Sequence, residues 1–171
     1  MMAKTSGGVR TYRQGSSTYR KRQTEAEAMR ASGRYSSVEI GRGGGWLAIE
    51  KSTARHKPEE LEAARILADK GYKVTLKDES GQIRTPDGYL FSASFEQRTP
   101  QGNSAQNFKK ALGHAAQKDA DVLVAYMKGS RHTRQSVEDG IRKFESMNQK
   151  RFKQIIIVTE DGRIHRHKHN K

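Results

Sequence analysis

The sequence predicts an α/β fold, a mixed central sheet flanked by helices, with a basic arm in front of it. Three observations carry this expectation. ADVLVAYM (residues 120–127) and QIIIVT (154–159) are continuous apolar runs, the pattern of strands covered on both faces. Segments with apolar residues at three- and four-residue steps separate those runs from other strand-like stretches, which implies helices packed on a sheet. The first 35 residues show no sustained period at all.

That opening segment, residues 1–35, is rich in Ser, Gly, Thr, Arg and Gln, and carries eight Lys/Arg against two Glu. It therefore holds +6 of the chain's net +14 and offers little apolar surface, so it is expected to be a disordered basic arm. Tyr12, Arg13, Tyr19, Arg20, Lys21 and Arg22 interleave rings and cations in a way that suits stacking on bases and pairing with phosphates. A solvated linker without a specific role fits the same residues.

Residues 36–171 are expected to form one α/β domain. SVEI and WLAIE are short β-type runs joined by GRGGG, a turn-rich hairpin link. No Lys-Ser/Thr follows those glycines, which argues against a phosphate-binding P-loop. KPEELEAARILADKG (57–71) reads as a helix: proline at its start, glutamates in the first turn, and Gly71 at its end. Leu61, Ala64, Leu67 and Ala68 make its apolar face. YKVTLKDE follows as a strand with Val74 and Leu76 on one face, ended by a turn at Ser80-Gly81. RTPDGYLFSASFEQRTPQGNS (84–104) contains a second hairpin, with strands over 88–91 and 93–98. A helix over 105–118 turns Phe108, Leu112, Ala115 and Ala116 inward, and SVEDGIRKFESMNQ turns Val137, Ile141 and Phe144 inward. EDG is a tight turn into the last strand, RIHRH.

Composition narrows the function. With 171 residues, 33% of them hydrophobic, and a mean hydropathy of −0.95, the chain supports one ordinary domain and not much more. A net charge of +14 and a pI near 10.1 favour a polyanionic partner, nucleic acid first and an anionic membrane second; surface charge for solubility is the plain alternative. The absence of cysteine excludes disulfides and zinc–thiolate sites. No run of about 18 apolar residues exists and the opening has no signal-peptide pattern, so a soluble protein acting in a cytoplasm is expected.

The 84–104 segment carries the candidate chemistry. Asp87 follows Pro86 and is followed nine residues later by Glu96, with Arg98 two further on, where alternation puts it on the face of Glu96. Two carboxylates and a cation at one sheet end can hold a hard divalent ion such as Mg²⁺, which would polarise a phosphodiester while the cation offsets charge on phosphorus. Glu59, Glu60 and Glu62 in the preceding helix offer a third carboxylate. A hairpin with ordinary exposed charges produces the same spacing.

Asp87 after Pro86, then Glu96-x-Arg98, resembles the PD-(D/E)xK nuclease motif with arginine in the lysine position. The resemblance extends from the helix His56-x-x-x-Glu60 to Gly71, through a strand ending at Glu79 and the Thr-Pro-x-Gly-Asn-Ser link of 99–104. NFKKALGHAAQKDAD, the buried strand, a basic helix and IIIVTEDGRI complete it. This ordered series, over about residues 38–167, is similar to the C-terminal tRNase domain of CdiA-type contact-dependent growth inhibition toxins and related toxin domains of phages and mobile elements. The resemblance implies a restriction-endonuclease-like core and metal-dependent cleavage of RNA, tRNA foremost, with a cognate immunity protein as partner. It places Asp87, Glu96 and Glu60 as Mg²⁺ ligands, with Glu62 as the competing register, and Arg98 as the catalytic cation. Arginine keeps its proton, so it can stabilise a phosphorane but not act as a base, and Lys109 or Lys110 is the candidate replacement. The FSAS segment also lacks the Asp/Asn-Gly turn common between the two acids in that family.

Other candidates are Arg131 and Arg134 beside His132, read with Lys109 and Lys110 as phosphate contacts, the first two at a helix N-terminus. His56 and His114 suit phosphate contact, proton transfer or helix capping. His165, His167 and His169 alternate and suit either a transition metal or a solvated tail. Trp46 reads as packing. Two further readings remain open: a non-catalytic nucleic-acid-binding protein of a mobile element that keeps the nuclease fold, and a DNA endonuclease with the same site.

Overall fold

The computed structural model describes residues 3–4, 9–52, 55–78 and 85–167. The chain divides into two compact units. One comprises Met1–Ile83 with Asp87–Ala93, and the other Arg84–Pro86 with Ser94–Lys171.

The first unit is built on strands β3 (Tyr35–Ile40), β4 (Trp46–Glu50), β5 (Lys73–Leu76) and β6 (Gly88–Leu90). β3 pairs antiparallel with β4, β4 pairs parallel with β5, and β5 pairs antiparallel with β6, so the sheet is mixed. Helix α2 (Pro58–Asp69) makes the β4–β5 crossover that a parallel pair needs, and packs on both strands. Its start and stop follow the sequence signals: Pro58 opens it, Glu59 and Glu60 occupy its first turn, and Ala63, Ala64, Leu67 and Ala68 are buried.

The expectation of a disordered arm over residues 1–35 does not hold for residues 9–35. Ser17–Ala31 form helix α1, capped by the Ser16 hydroxyl, which accepts from the Tyr19 N–H at 3.2 Å. Two short strands precede it, β1 (Ala3–Lys4) and β2 (Arg10–Thr11), paired antiparallel. The α1 face is sparse in apolar residues, and tertiary packing supplies what periodicity does not show. Ala26 packs with Val38, Trp46 and Ala48, and Met29 borders that cluster. Polar side chains anchor the rest of the helix. Arg30 donates to the Val38 carbonyl at 2.8 Å, and Arg22 to the carbonyls of Gly44 and Gly71. Glu25 accepts from Lys73 Nζ at 2.8 Å and from the Trp46 indole at 3.3 Å. Burial pushes the Glu25 carboxyl up, but the Lys73 and Trp46 hydrogen bonds outweigh it and hold its pKa below the ordinary value. Tyr19 is buried and Tyr12 lies under the Arg22 guanidinium, 5.4 Å from its ring centre, so Tyr19 is core and not a ring for stacking bases.

The GRGGG link joins β3 to β4 as a turn, and its glycines answer to a neighbour. A Cβ on Gly45 would lie 2.3 Å from the Tyr72 carbonyl oxygen and 2.4 Å from that of Ala68. The link is thus glycine-rich where the C-terminal end of α2 presses backbone against backbone, a reason unrelated to phosphate binding.

The second unit runs β7 (Ala93–Arg98), α3 (Ala105–Gln117), β8 (Val122–Tyr126), α4 (Arg134–Met147), β9 (Gln154–Val158) and β10 (Ile164–His167). β7–β8 and β8–β9 are parallel pairs joined through α3 and α4, and β9–β10 is antiparallel. Phe108, Leu112 and Ala115 of α3 and Ile141 and Phe144 of α4 form one core with Leu123, Ala125, Phe152 and Ile155. Each helix is capped by a hydroxyl, Ser104 for α3 and Thr133 for α4, the latter in a reciprocal pair with Ser136. The order of strands and helices over 35–167 follows the sequence reading, with Phe91 in the turn after β6 instead of in the strand. Glu79, the Ser80-Gly81 turn and His169 lie outside the described residues.

Gly45→Ala is expected to lower stability by about 1–3 kcal/mol, because the obstructing atoms are backbone and cannot rotate away. Urea unfolding followed by circular dichroism measures this; an unchanged midpoint contradicts the close approach.

Candidate functional site

Acidic residues in this chain are outnumbered by cations, 19 to 33, yet two of them are among the most buried side chains. Asp87 is 3% exposed and Glu96 2% exposed. Burying a carboxylate is expensive unless it finds a cation or hydrogen bonds, so each marks a place where the fold holds charge deliberately.

In the first unit, Asp87 immediately precedes β6, and its carbonyl accepts from the Lys77 N–H at 2.9 Å, which continues the β5–β6 pairing by one residue. That pairing is tight: a Cβ on Gly88 would fall 1.8 Å from the Thr75 carbonyl oxygen, so the residue after Asp87 must be glycine. Glu60 comes from the first turn of α2, where its side chain is 11% exposed and meets His56 Nδ1 at 3.0 Å. Burial pushes the Glu60 carboxyl above its ordinary range, and the Asp87 charge pushes it further, while the His56 hydrogen bond offsets part of the rise. Glu60 and Asp87 are therefore close enough to repel. Glu60 is thus an α2 acid that feels the Asp87 charge.

In the second unit, Glu96 lies in the middle of β7 with its neighbours Phe95 and Gln97 also buried. Its Oε2 atom is 3.9 Å from Arg98 Nη1 and 3.8 Å from Lys118 Nζ. Lys118 caps the C-terminal end of α3 and also donates to the Thr85 carbonyl at 3.3 Å. Sequence reasoning did not single it out. It lies 22 residues beyond Glu96 in the chain, at a helix end, and no local spacing connects the two. Of the two candidate replacement lysines, Lys109 reaches Met147 Sδ at 3.1 Å. Lys110 is exposed; together with Arg98 it holds the His114 pKa below its ordinary value, although burial of the ring is the larger cause. Arg98 and Lys110 thus set up a positive potential at His114, which favours the neutral ring.

Arg131 and Arg134 are exposed, and Arg134 is ion-paired with Glu138 at 3.1 Å. His132 has a structural task. Its ring nitrogens meet the Ser130 hydroxyl at 2.6 Å and the Ser104 carbonyl at 2.9 Å, and its ring sits edge-on to Phe108. His56 is engaged with Glu60, and Trp46 is core, as expected. His165 and His167 lie in β10 at the side-chain spacing the sequence implies.

Among the described residues, no group of three or more His, Cys, Asp or Glu is arranged to hold a metal ion. The Glu60–Asp87 pair offers a hard cation two buried, mutually repelling oxygen donors, with His56 and Lys57 offsetting part of the Glu60 charge. Mg²⁺ is commonly held by one or two carboxylates, with waters and substrate oxygens completing its shell. Glu96, flanked by two cations, has its charge already offset. No helix among the described residues is long and apolar enough to cross a membrane.

Two variants test these groupings. Because the folded-state pKa of Glu60 is raised, its ionised form opposes folding at neutral pH, and the cost disappears as pH falls below the ordinary value of 4.5. In EDTA, Glu60→Gln is therefore expected to melt above the parent protein at pH 7, with the gap closing towards pH 4; Mg²⁺ should raise the parent's Tm more than the variant's. Lys118→Met should cost about 1–3 kcal/mol by removing a cation from a buried carboxylate, and clearly less in a Glu96→Gln background. Equal costs in both backgrounds would dissolve the pair.

No protein-family model matches the chain, and no curated protein matches it in sequence. One solved structure does match in fold: a chain of the CdiA-CT/CdiI toxin and immunity complex from Burkholderia pseudomallei. The match has a TM-score of 0.51 and 16% sequence identity, and covers 70% of this chain and 98% of that one. The fold of this protein is thus shared with a chain of that CdiA-CT/CdiI complex.

Proposed function

We propose that the protein is a toxin domain of the CdiA-CT type and a metal-dependent endoribonuclease that cleaves tRNA. The observation that carries this reading is the desolvated, mutually repelling pair Glu60 and Asp87, found in a fold shared with a toxin–immunity complex. Charge supports it as well. A chain of net +14 is attracted to a phosphate backbone.

In this reading Asp87 and Glu60 hold Mg²⁺, and Glu96 joins them on the spacing of the motif alone. The chemistry a bound divalent ion supplies is Lewis-acid polarisation of the phosphodiester and a lowered pKa for water. Arg98 cannot give up its proton, so its role is to hold and neutralise a phosphate oxygen with its planar fork. Lys118, a compact ammonium at the same carboxylate, takes the lysine role that position 98 lacks. Lys110 extends the positive surface beside Arg98, and Lys109, Arg131 and Arg134 are peripheral phosphate contacts. The solved neighbour is a toxin with its immunity protein. We extend that pairing to this chain as a cognate immunity protein whose docking face is acidic.

Total tRNA incubated with protein and Mg²⁺ should yield discrete fragments on a denaturing gel. EDTA, or Asp87→Ala, should reduce cleavage by at least about 100-fold while leaving tRNA affinity within a few fold. Intact tRNA across Mg²⁺ and Mn²⁺, with binding still measurable, would make the protein a binder that retains a nuclease fold. Cleavage of duplex DNA instead of tRNA would reassign the substrate and keep the site.

A further inference from the structure

The first unit places two large exposed aromatic side chains, Tyr89 and Phe91, on and just after the short strand that begins behind Asp87. They are 36% and 45% exposed, and the only other large hydrophobic residue so exposed among those described is Met147. Single exposed apolar residues are ordinary; these two are accompanied by three further features.

The first is the backbone of Phe91. Its φ of 53° lies in the left-handed region, where glycine is usual and a bulky side chain is strained by about 1–3 kcal/mol. Folding alone would be served better by glycine at this turn. The second is a cation: Lys77 Nζ stands 5.4 Å from the centre of the Tyr89 ring. The third is support from behind, since Phe91 leans on the buried Tyr72 ring, 6.0 Å between centres and tilted by 49°, which holds one edge while leaving the ring partly in solvent.

We infer that Tyr89 and Phe91 are a base-stacking platform for single-stranded nucleic acid, with Lys77 contacting the phosphate beside the Tyr89 base. Aromatic faces with an adjacent cation are the common equipment of such sites, since every base presents a π-face and every step a phosphate. The net +14 of the chain makes nucleic acid the complementary occupant of this face. This inference rests on the proposed nuclease reading for its purpose: a platform two and four residues beyond Asp87 orients the strand next to the acid. The binding itself does not depend on cleavage.

The test uses the full chain in EDTA with short single-stranded RNA and DNA oligonucleotides carrying 2-aminopurine, whose fluorescence falls on stacking. Tyr89→Ala and Phe91→Ala are each expected to weaken binding about 5- to 150-fold and to abolish part of the quenching. Tyr89→Phe should restore both, and Lys77→Gln should lower the slope of log affinity against log salt by about one. Phe91→Gly separates stacking from folding: it should raise the melting temperature by relieving the positive φ, yet weaken binding. Unchanged affinity and quenching in Tyr89→Ala and Phe91→Gly would overturn the platform, as would loss of self-association or of protein capture in place of nucleic-acid binding. Cleavage by the parent protein with Mg²⁺ is read separately. Cleavage without a stacking effect removes the platform alone, and stacking without cleavage removes the nuclease reading alone. RNA against DNA affinity decides which strand chemistry the platform takes.

Discussion

Burial of carboxylate charge is the constraint on which the rest of this molecule depends. Transferring an ionised carboxyl out of water costs several kcal/mol, and the fold meets that cost differently in its two units. Glu96 has Arg98 and Lys118 within 4 Å of one oxygen, so its charge is compensated by the chain itself. The Glu60 carboxyl is pushed up by burial and by the Asp87 charge, and His56 and Lys57 offset part of the rise. The first arrangement sets two cations beside one buried carboxylate; the second brings two buried carboxylates near enough to raise the pKa of one of them.

Local architecture serves the same end. α2 delivers Glu60 in its first turn because Pro58 and the adjacent acids start the helix there, and its far end presses on the GRGGG link so closely that Gly45 has no room for a side chain. The helix is thus fixed at both ends, and its N-terminal acid is held in place by packing at a distance. Gly88 performs a comparable service for Asp87, letting β5 and β6 approach without a Cβ between them. In the second unit the α3 and α4 cores bury against β8 and β9, and Lys118 is delivered by the end of α3. Glu60, Asp87, Arg98 and Lys118 sit at element ends, where backbone geometry is set by the core.

The basic N-terminal segment shows how polar anchoring can replace an apolar stripe. α1 buries little hydrophobic surface, yet Arg22, Glu25 and Arg30 tie it to backbone carbonyls, Lys73 and Trp46. Several charge-assisted hydrogen bonds, each worth about 1.5–3 kcal/mol where well shielded, can dock a helix whose periodicity gives no sign of it. Arg22 reads in sequence as a phosphate-pairing cation. In the folded chain part of that charge is spent on holding the helix.

What the sequence determined by itself was the order of elements over 35–167, the mixed sheet with helical crossovers, and the acids worth watching. Apolar period, proline and glycine placement, and charge are local properties that a chain displays before it folds. Only tertiary structure decided that residues 17–31 are helical, that Glu60 feels the charge of Asp87, that His132 braces a loop, and that Lys118 meets Glu96. The reason is the same in each case. Partners separated by tens of residues leave no mark on local spacing, and a charged side chain's role is set by which buried group it reaches.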